Sequence, residues 1–278
     1  MNDSVNSRFA LLVIFFCWTC FILPSANGAE SSSSKTAPRQ LTAETVKSSE
    51  VLLGPEVHWR AHAQAQDLFK TWNFDQEAID GLPTGFTAGS NQKQSTGEWR
   101  IEADPQAPTT PHVMMHTTPC PQEDCFQVLL SDTGKLALPD IVVSLREVSS
   151  GEGGEAGIVL AAQDHRNFYA VTVNLNTNEL STYRVQNGKP TLLGKGLAQP
   201  KSSVWHVLRV QVVNSAHVDF PRLELYLDGY EVPMPEVYAI HGVGRIGLIT
   251  KAEMVAKFDG LRVIEMVANR PLSKPAAY

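Results

Sequence analysis

Cysteine is scarce in this 278-residue chain, which has four: Cys17 and Cys20 in an apolar stretch near the start, and Cys120 and Cys125 in "CPQEDC". Only the second pair lies beyond the apolar stretch, and its four-residue spacer makes neither a CxxC redox pair nor a paired set of cysteine metal ligands. Basic charge is not concentrated either. The 23 Lys and Arg are scattered singly against 29 Asp and Glu, for a net charge of −6. With no basic stripe, nucleic acid is not an expected partner. No apolar run is long enough to cross a bilayer comfortably, the apolar stretch Phe9–Leu23 included. Helical segments alternating with strands are missing as well, which argues against an α/β architecture, and no internal repeat is present.

What the start does contain is a targeting pattern. Arg8 precedes the apolar "FALLVIFFCWTCFIL", and Ala26 and Gly28 place small residues three and one positions before a cut ahead of Ala29. Residues 1–28 are therefore expected to be a signal peptide cleaved between Gly28 and Ala29, with an uncleaved anchor as the alternative. The chain is expected to be secreted or periplasmic, with no stable membrane span after cleavage. A lipoprotein is set aside because Phe16 and Thr19, not small residues, precede Cys17 and Cys20. Residues 29–50, rich in Ser, Thr, Ala and charge, read as a flexible linker. In an oxidising compartment Cys120 and Cys125 are expected to close a small disulfide loop, the alternative being two free thiols.

From Trp72 onward the pattern has period two, broken by Gly, Asn, Asp and Pro. "DIVVSLREV", "AGIVLAAQ", "NFYAVTVNL", "LSTYRV", "VWHVLRVQVV", "RLELYLDG", "GRIGLIT" and "AKFDGLRVIEM" follow one another across Asp140–Met266. "NTNE", "QNGK" and "LDGY" are hairpin turn signals. The fold class is all-β, an antiparallel β-sandwich over residues 72–266 with a tail at 267–278. Residues 51–71 form an N-terminal arm or short helix, since helical potential is confined to "HWRAHAQAQDLFKTW" (His58–Trp72). Alternation assigns faces. His206, Leu208, Val210 and Val212 share one face, and Leu223, Leu225 and Leu227 form a core set. Tyr169, Val171, Val173 and Leu175 look inward, leaving Phe168, Ala170, Thr172 and Asn174 as a mixed polar set on the other face.

The order "TWNFDQ", "GLPTGF", "GEWRIEAD", "GIVLAAQDHRNFYAVTVN", "LSTYRVQNGK", "WHVLRVQV", "LELYLDG", "GVGRIGLITKAEMVAKFDGLRV" resembles the concanavalin A-like, laminin-G-like jelly roll. More narrowly it is similar to the secreted bacterial 3-keto-disaccharide hydrolase-like domains. The resemblance covers roughly Trp72 to Glu265 and implies a jelly roll that serves as lectin, adhesion module or enzyme. One departure is Thr172, where related domains commonly carry an arginine on the exposed face of that strand. It weighs against a catalytic role for the face. Jelly rolls often tie first strand to last with a structural calcium, and Asp75 in "NFDQ" and Asp259 in "KFDG" occupy the matching strands. The competing reading is that each caps a turn.

Laminarinase-type glycosidases on this fold need carboxylates close on one face, a retaining pair standing about 5 Å apart. Glu224, Asp228 and Glu231 are the nearest set here. Glu224 and Asp228 share a face, yet four residues of strand put them about 13 Å apart, and Asp228–Gly229 is a natural turn. The histidine pairs His58/His62 and His112/His116 lack a zincin glutamate and an evident third ligand. A sugar site would combine an aromatic platform with planar polar groups. The best cluster is Asp164, His165, Arg166 and Asn167, with Asn174, Tyr183 or Arg184 and Trp205 as further ligand-binding residues. Set against it is a plain solvated turn. For 3-keto-glycosides, the activity the resemblance implies, the ketone acidifies the adjacent C–H, so a base suffices without a carboxylate pair. His165 or Asp164 would be that base. The expected partner is a carbohydrate, glycan or keto-sugar; the alternative is a non-catalytic surface module with a protein partner.

Overall fold

The computed structural model describes residues 69–93, 97–200, 204–213, 221–235 and 242–265. The expected signal peptide, linker, C-terminal tail and residues 51–68 of the arm, His58 and His62 included, lie outside the described residues. Within them the regular elements are strands: β1 (Phe69–Trp72), β2 (Phe86–Ser90), β3 (Trp99–Ala103), β4 (His112–His116), β5 (Phe126–Ser131), β6 (Pro139–Ser150), β7 (Glu155–Asp164) and β8 (Asn167–Asn174). The second half adds β9 (Glu179–Gln186), β10 (Lys189–Leu197), β11 (His206–Val213), β12 (Arg222–Leu227), β13 (Tyr230–Glu231), β14 (Arg245–Lys251) and β15 (Met254–Glu265). They form two antiparallel sheets of a sandwich. One runs β13-β12-β11-β6-β15-β4-β3 with β1 also on β15; the other runs β10-β9-β8-β7-β14-β5-β2.

The described end of the expected helix is a strand. β1 pairs with β15 from Phe69↔Ile264 to Trp72↔Leu261. Completing the ladder of a long strand satisfies backbone groups that an isolated turn of helix would leave β15 without, and tertiary pairing overrides propensity. Among the described residues, the strands of the sandwich therefore reach back to Phe69, ahead of Trp72.

The main core lies between the sheets and holds the sets assigned by alternation. Leu208, Val210 and Val212 of β11, Leu225 and Leu227 of β12, and Tyr169, Val171 and Val173 of β8 are buried there. His206 is buried on the same side, its Nδ1 bonded to Asp228.

The other face of β8 is not open, and here the expectation of an exposed mixed polar face is corrected. Phe168, Ala170 and Thr172 are buried. Phe168 and Ala170 join Phe126, Val128, Leu130, Val159, Ala162, Tyr183, Val185 and Ile249 in a second apolar core. The cause is curvature. β5 and β9 are separated by β14, β7 and β8, four steps and roughly 19 Å along a flat sheet. The Phe126 and Tyr183 rings nonetheless stand 5.3 Å apart, and Phe126 and Phe168 6.2 Å. The seven-stranded sheet curls into a trough filled by its own side chains.

Candidate functional site

The stretch "DHRN" is the tip of the β7–β8 hairpin, and it closes one end of this trough. Asp164 Oδ1 accepts from the Arg166 amide at 2.7 Å, and both of its carboxylate oxygens accept from Asn167 Nδ2 at 3.0 Å. His165 reaches β2, where its Nε2 donates to the Thr87 carbonyl at 3.0 Å. That bond fixes the tautomer, since a carbonyl only accepts. Arg166 donates through Nε to Asn91 O at 3.3 Å and through Nη2 to Asn187 O at 2.7 Å. Buried Asn91 donates in turn to the carbonyls of Asp124 and Gly188. Asn187 and Gly188, at φ 51° and 81°, form the β9–β10 turn, and a Cβ on Gly188 would fall 2.4 Å from Asn91 O. Only glycine fits so close an approach. Asp164 and His165, expected as a base, are committed to this clasp.

The remaining expected ligand residues are dispersed. Neighbours in a strand point to opposite faces, so Tyr183 and Arg184 part company. Tyr183 is buried in the trough, and its hydroxyl donates to Glu155 Oε1 at 3.0 Å. Asn174 lies at the far end of β8, where its Oδ1 accepts from the amides of Asn176 and Thr177 and caps the β8–β9 turn. Trp205 precedes β11 in the other sheet. Asn167 and Arg184 do come together, in a groove of about 290 Å³ lined by Ala161, Gln163, Asn167, Phe168, Tyr169, Arg184, Val185 and Gln186.

A bulge makes this groove. The register of β7 against β8 slips between Leu160 and Asp164, and Ala161 sits at φ 51°. Left-handed backbone costs an alanine roughly 1–2 kcal/mol. Gly244 accommodates it, since a Cβ there would lie 2.2 Å from the carbonyl carbon of Ala161. Past the bulge Ala162 enters the trough and Gln163 turns outward, its Nε2 held by Val243 O at 2.7 Å. Across the groove Arg184 is partly buried, with its Cζ 5.9 Å from the centre of the Tyr169 ring. Asn167 is fully used, its Oδ1 accepting from Asn187 N at 2.9 Å. Gln163, Tyr169 and Gln186 were not foreseen, because strict alternation has no term for a bulge.

A second constellation escaped the sequence reading because its members are far apart in the chain. Glu155 of β7 accepts from Thr172 Oγ1, Tyr183 OH and Lys251 Nζ, the last at 2.8 Å. Carboxylate and ammonium are both nearly buried. Burial, and next the charge of Glu155, push the Tyr183 hydroxyl far above the ordinary tyrosine range. Thr172, read as exposed, is thus an interior partner of a carboxylate.

Asp259 is fully buried. Its oxygens accept from Thr109 N at 2.6 Å, Thr109 Oγ1 at 2.7 Å and Gly260 N at 2.6 Å. Asp75 accepts from His112 N at 3.1 Å. Burial raises the Asp259 pKa against these bonds, and nearby Asp75 adds to the rise. The pair is close, as expected, but the donors already satisfy Asp259, and no group of three or more His, Cys, Asp or Glu able to hold a metal occurs among the described residues. A calcium ion does not fit without displacing Thr109. His112 and His116 do not converge: His116 is buried, with Nδ1 on Met254 O. Glu224 bonds Arg222 and Tyr226, while Asp228, in the β12–β13 turn at φ 52°, accepts from Val207 N. Cys120 and Cys125 form a disulfide.

No protein-family profile matches the chain, and no curated protein matches it significantly. Among solved structures it is similar to carbohydrate-binding module CBM66 from Bacillus subtilis, at 14% identity and TM-score 0.48, over 64% of this chain and 95% of the module. The Emp47p carbohydrate recognition domain shows 12% identity and TM-score 0.44 over 72% and 96%. A Bacillus subtilis protein of unknown function with a galectin-like fold shows 10% identity and TM-score 0.45 over 70% and 98%. Likeness of this degree carries no functional inference.

Proposed function

We propose that this chain is an exported carbohydrate-recognising domain whose sugar site is the groove between the β7 bulge and the end of β9, and that it binds without cleaving. The observation that carries the reading is the strained bulge at Ala161, which brings Gln163 into the lining of the same groove as Arg184 instead of continuing the ladder. Backbone strain beside a concavity is a mark of function. Gln163 through its Oε1, Gln186 and Arg184 offer planar polar groups for vicinal hydroxyls, and the edges of Phe168 and Tyr169 line the groove beside them. The volume is at the small end of ligand sites, which run from about 300 to 1,000 Å³, and suits one sugar unit or a chain end.

Cleavage of 3-keto-glycosides needs a base at the acidified C–H. The groove lining contains no Asp, Glu, His or Lys, so recognition is favoured over cleavage. Export is supported by the targeting pattern of residues 1–28 and by the disulfide, which suits an oxidising compartment. A protein partner is the second reading, favoured by the exposed apolar side chains Leu192, Leu197, Val204 and Tyr230.

The test is a glycan array probed with the purified protein and with Gln163→Ala, Arg184→Ala and Arg222→Ala. Binding by the parent, lost in the first two and kept in the third, supports the groove. A parent that binds no glycan, or variants that bind alike, refutes it. Release of monosaccharide from 3-keto-disaccharides would refute the non-cleaving part.

A further inference from the structure

Resting on the groove as the sugar site, we infer that its ligand is a saccharide bearing an oxyanion, a carboxylate or a sulfate ester, and that Arg184 receives it. Arg184 is the one charged side chain in the groove lining. Four other arginines face carboxylates: Arg100 faces Glu98, Arg146 faces Asp104, Arg209 faces Asp140 and Arg222 faces Glu224. Arg245 and Arg262, like Arg184, face none among the described residues, but neither lines the groove. Arg166, in the neighbouring hairpin tip, is tied to two carbonyls. Arg184 has no carboxylate within ion-pair distance among the described residues. Asp164, the acid at the hairpin tip, has its oxygens turned to Asn167 and to the Arg166 amide.

What holds Arg184 is the Tyr169 ring, over which its guanidinium carbon stands at 5.9 Å. A cation–π contact fixes the plane while leaving the N–H donors in the plane's rim unspent. The fork of a guanidinium matches the two oxygens of a carboxylate or sulfate, and charge-assisted pairs are about twice as strong as neutral ones. No ion pair among the described residues has to be broken first. Gln163 and Gln186 line the same groove and suit the hydroxyls next to the anionic carbon. In a chain of net charge −6, a partly buried cation facing neutral amides is a local inversion of the surrounding potential, and it selects for the anion.

The experiment is calorimetric titration of the purified protein with two matched pairs. One is trigalacturonate and its methyl ester; the other is a 4-sulfated galactose oligosaccharide and its desulfated parent. At least one charged member should bind about tenfold or more tightly than its neutral partner, the advantage shrinking at high salt. Arg184→Gln should abolish the advantage, bringing the charged sugar down to whatever affinity its neutral partner has for the same variant, and Arg184→Lys, which keeps charge without the fork, should retain part of it. A gain confined to one pair assigns the carboxylate or the sulfate. Neutral sugars bound as well as charged ones overturn the oxyanion and leave the sugar site standing. Failure of all four sugars overturns both. A charge preference that survives Arg184→Gln overturns the assignment to Arg184.

Discussion

The imidazole of His165 lies against the Cα of Gly89: a Cβ on Gly89 would fall 2.5 Å from its Cγ and Cδ2. The two residues belong to β2 and to a hairpin tip whose strands start three places away in the same sheet. Their contact is therefore the closure of the trough. Gly89→Ala should cost about 1–3 kcal/mol by overpacking. Combined with His165→Ala, which removes the obstructing ring, the loss should be clearly smaller than the sum of the singles. Urea unfolding of the four proteins measures this, and simple additivity would mean the ring does not close the sheet.

His116 gives the protein an acid limit. Burial lowers its pKa from 6.5 to about 4 against the bond to Met254 O, and its Nε2 is without a hydrogen-bond partner among the described residues. The unfolded chain thus binds the proton more readily than the folded one. Stability is complete above pH 6.5 and falls as pH drops toward 4, by on the order of 3 kcal/mol in all. Unfolding midpoints across that window and an NMR titration of the ring check it. A ring that titrates near its ordinary value would contradict the burial.

Glu155 and Lys251 face one another across the β7–β14 ladder. Removing one partner leaves the other's charge buried, so Glu155→Ala should destabilise by about 3–5 kcal/mol. The double change Glu155→Leu with Lys251→Met should recover most of that loss, as well-packed apolar pairs often do. Denaturant melts of single and double variants decide, and a double variant as unstable as Glu155→Ala would point to a role for the pair beyond the buried charge.

The disulfide braces the same end of the trough. Cys120 N donates to Ala252 O, Ala252 N donates to Cys125 O, and the loop's Asp124 carbonyl holds Asn91. Six residues closed in a loop correspond to about 2 kcal/mol of chain entropy. Cys120→Ser with Cys125→Ser should lower the melting temperature accordingly, and an unchanged value would show that the surrounding hydrogen bonds suffice alone.

Calcium should leave the melting temperature where it is, because Thr109 and Gly260 already satisfy Asp259. A rise on adding the ion, reversed by chelator, would show that the Asp75–Asp259 pair binds it.

Period-two alternation was legible from residue 140 onward, but not for β2 to β5, although they too contribute to the main core. β6, β7, β8, β9, β11, β12, β14 and β15 lie within a few residues of the runs visible in the sequence. β10 escaped because "KPTLLGKGL" is an edge strand punctuated by Pro and Gly, with a register slip between Leu192 and Gly194. The buried second face escaped for a different reason. Alternation tells sides apart but not sheet curl, so Thr172 looked exposed and "DHRN" looked like an open cluster. Asn167 and Arg184 were legible as polar groups beside aromatics. Gln163 was not, because only the bulge at Ala161 brings it there.

The most direct measurement is an amide-resolved NMR titration of the protein with the tightest glycan from an array. The largest shifts should fall at residues 161–169 and 184–187, around Gln163, Tyr169 and Arg184. Shifts centred instead on Glu155, Thr172 and Ser181 would place the sugar in the trough and contradict a site at the bulge.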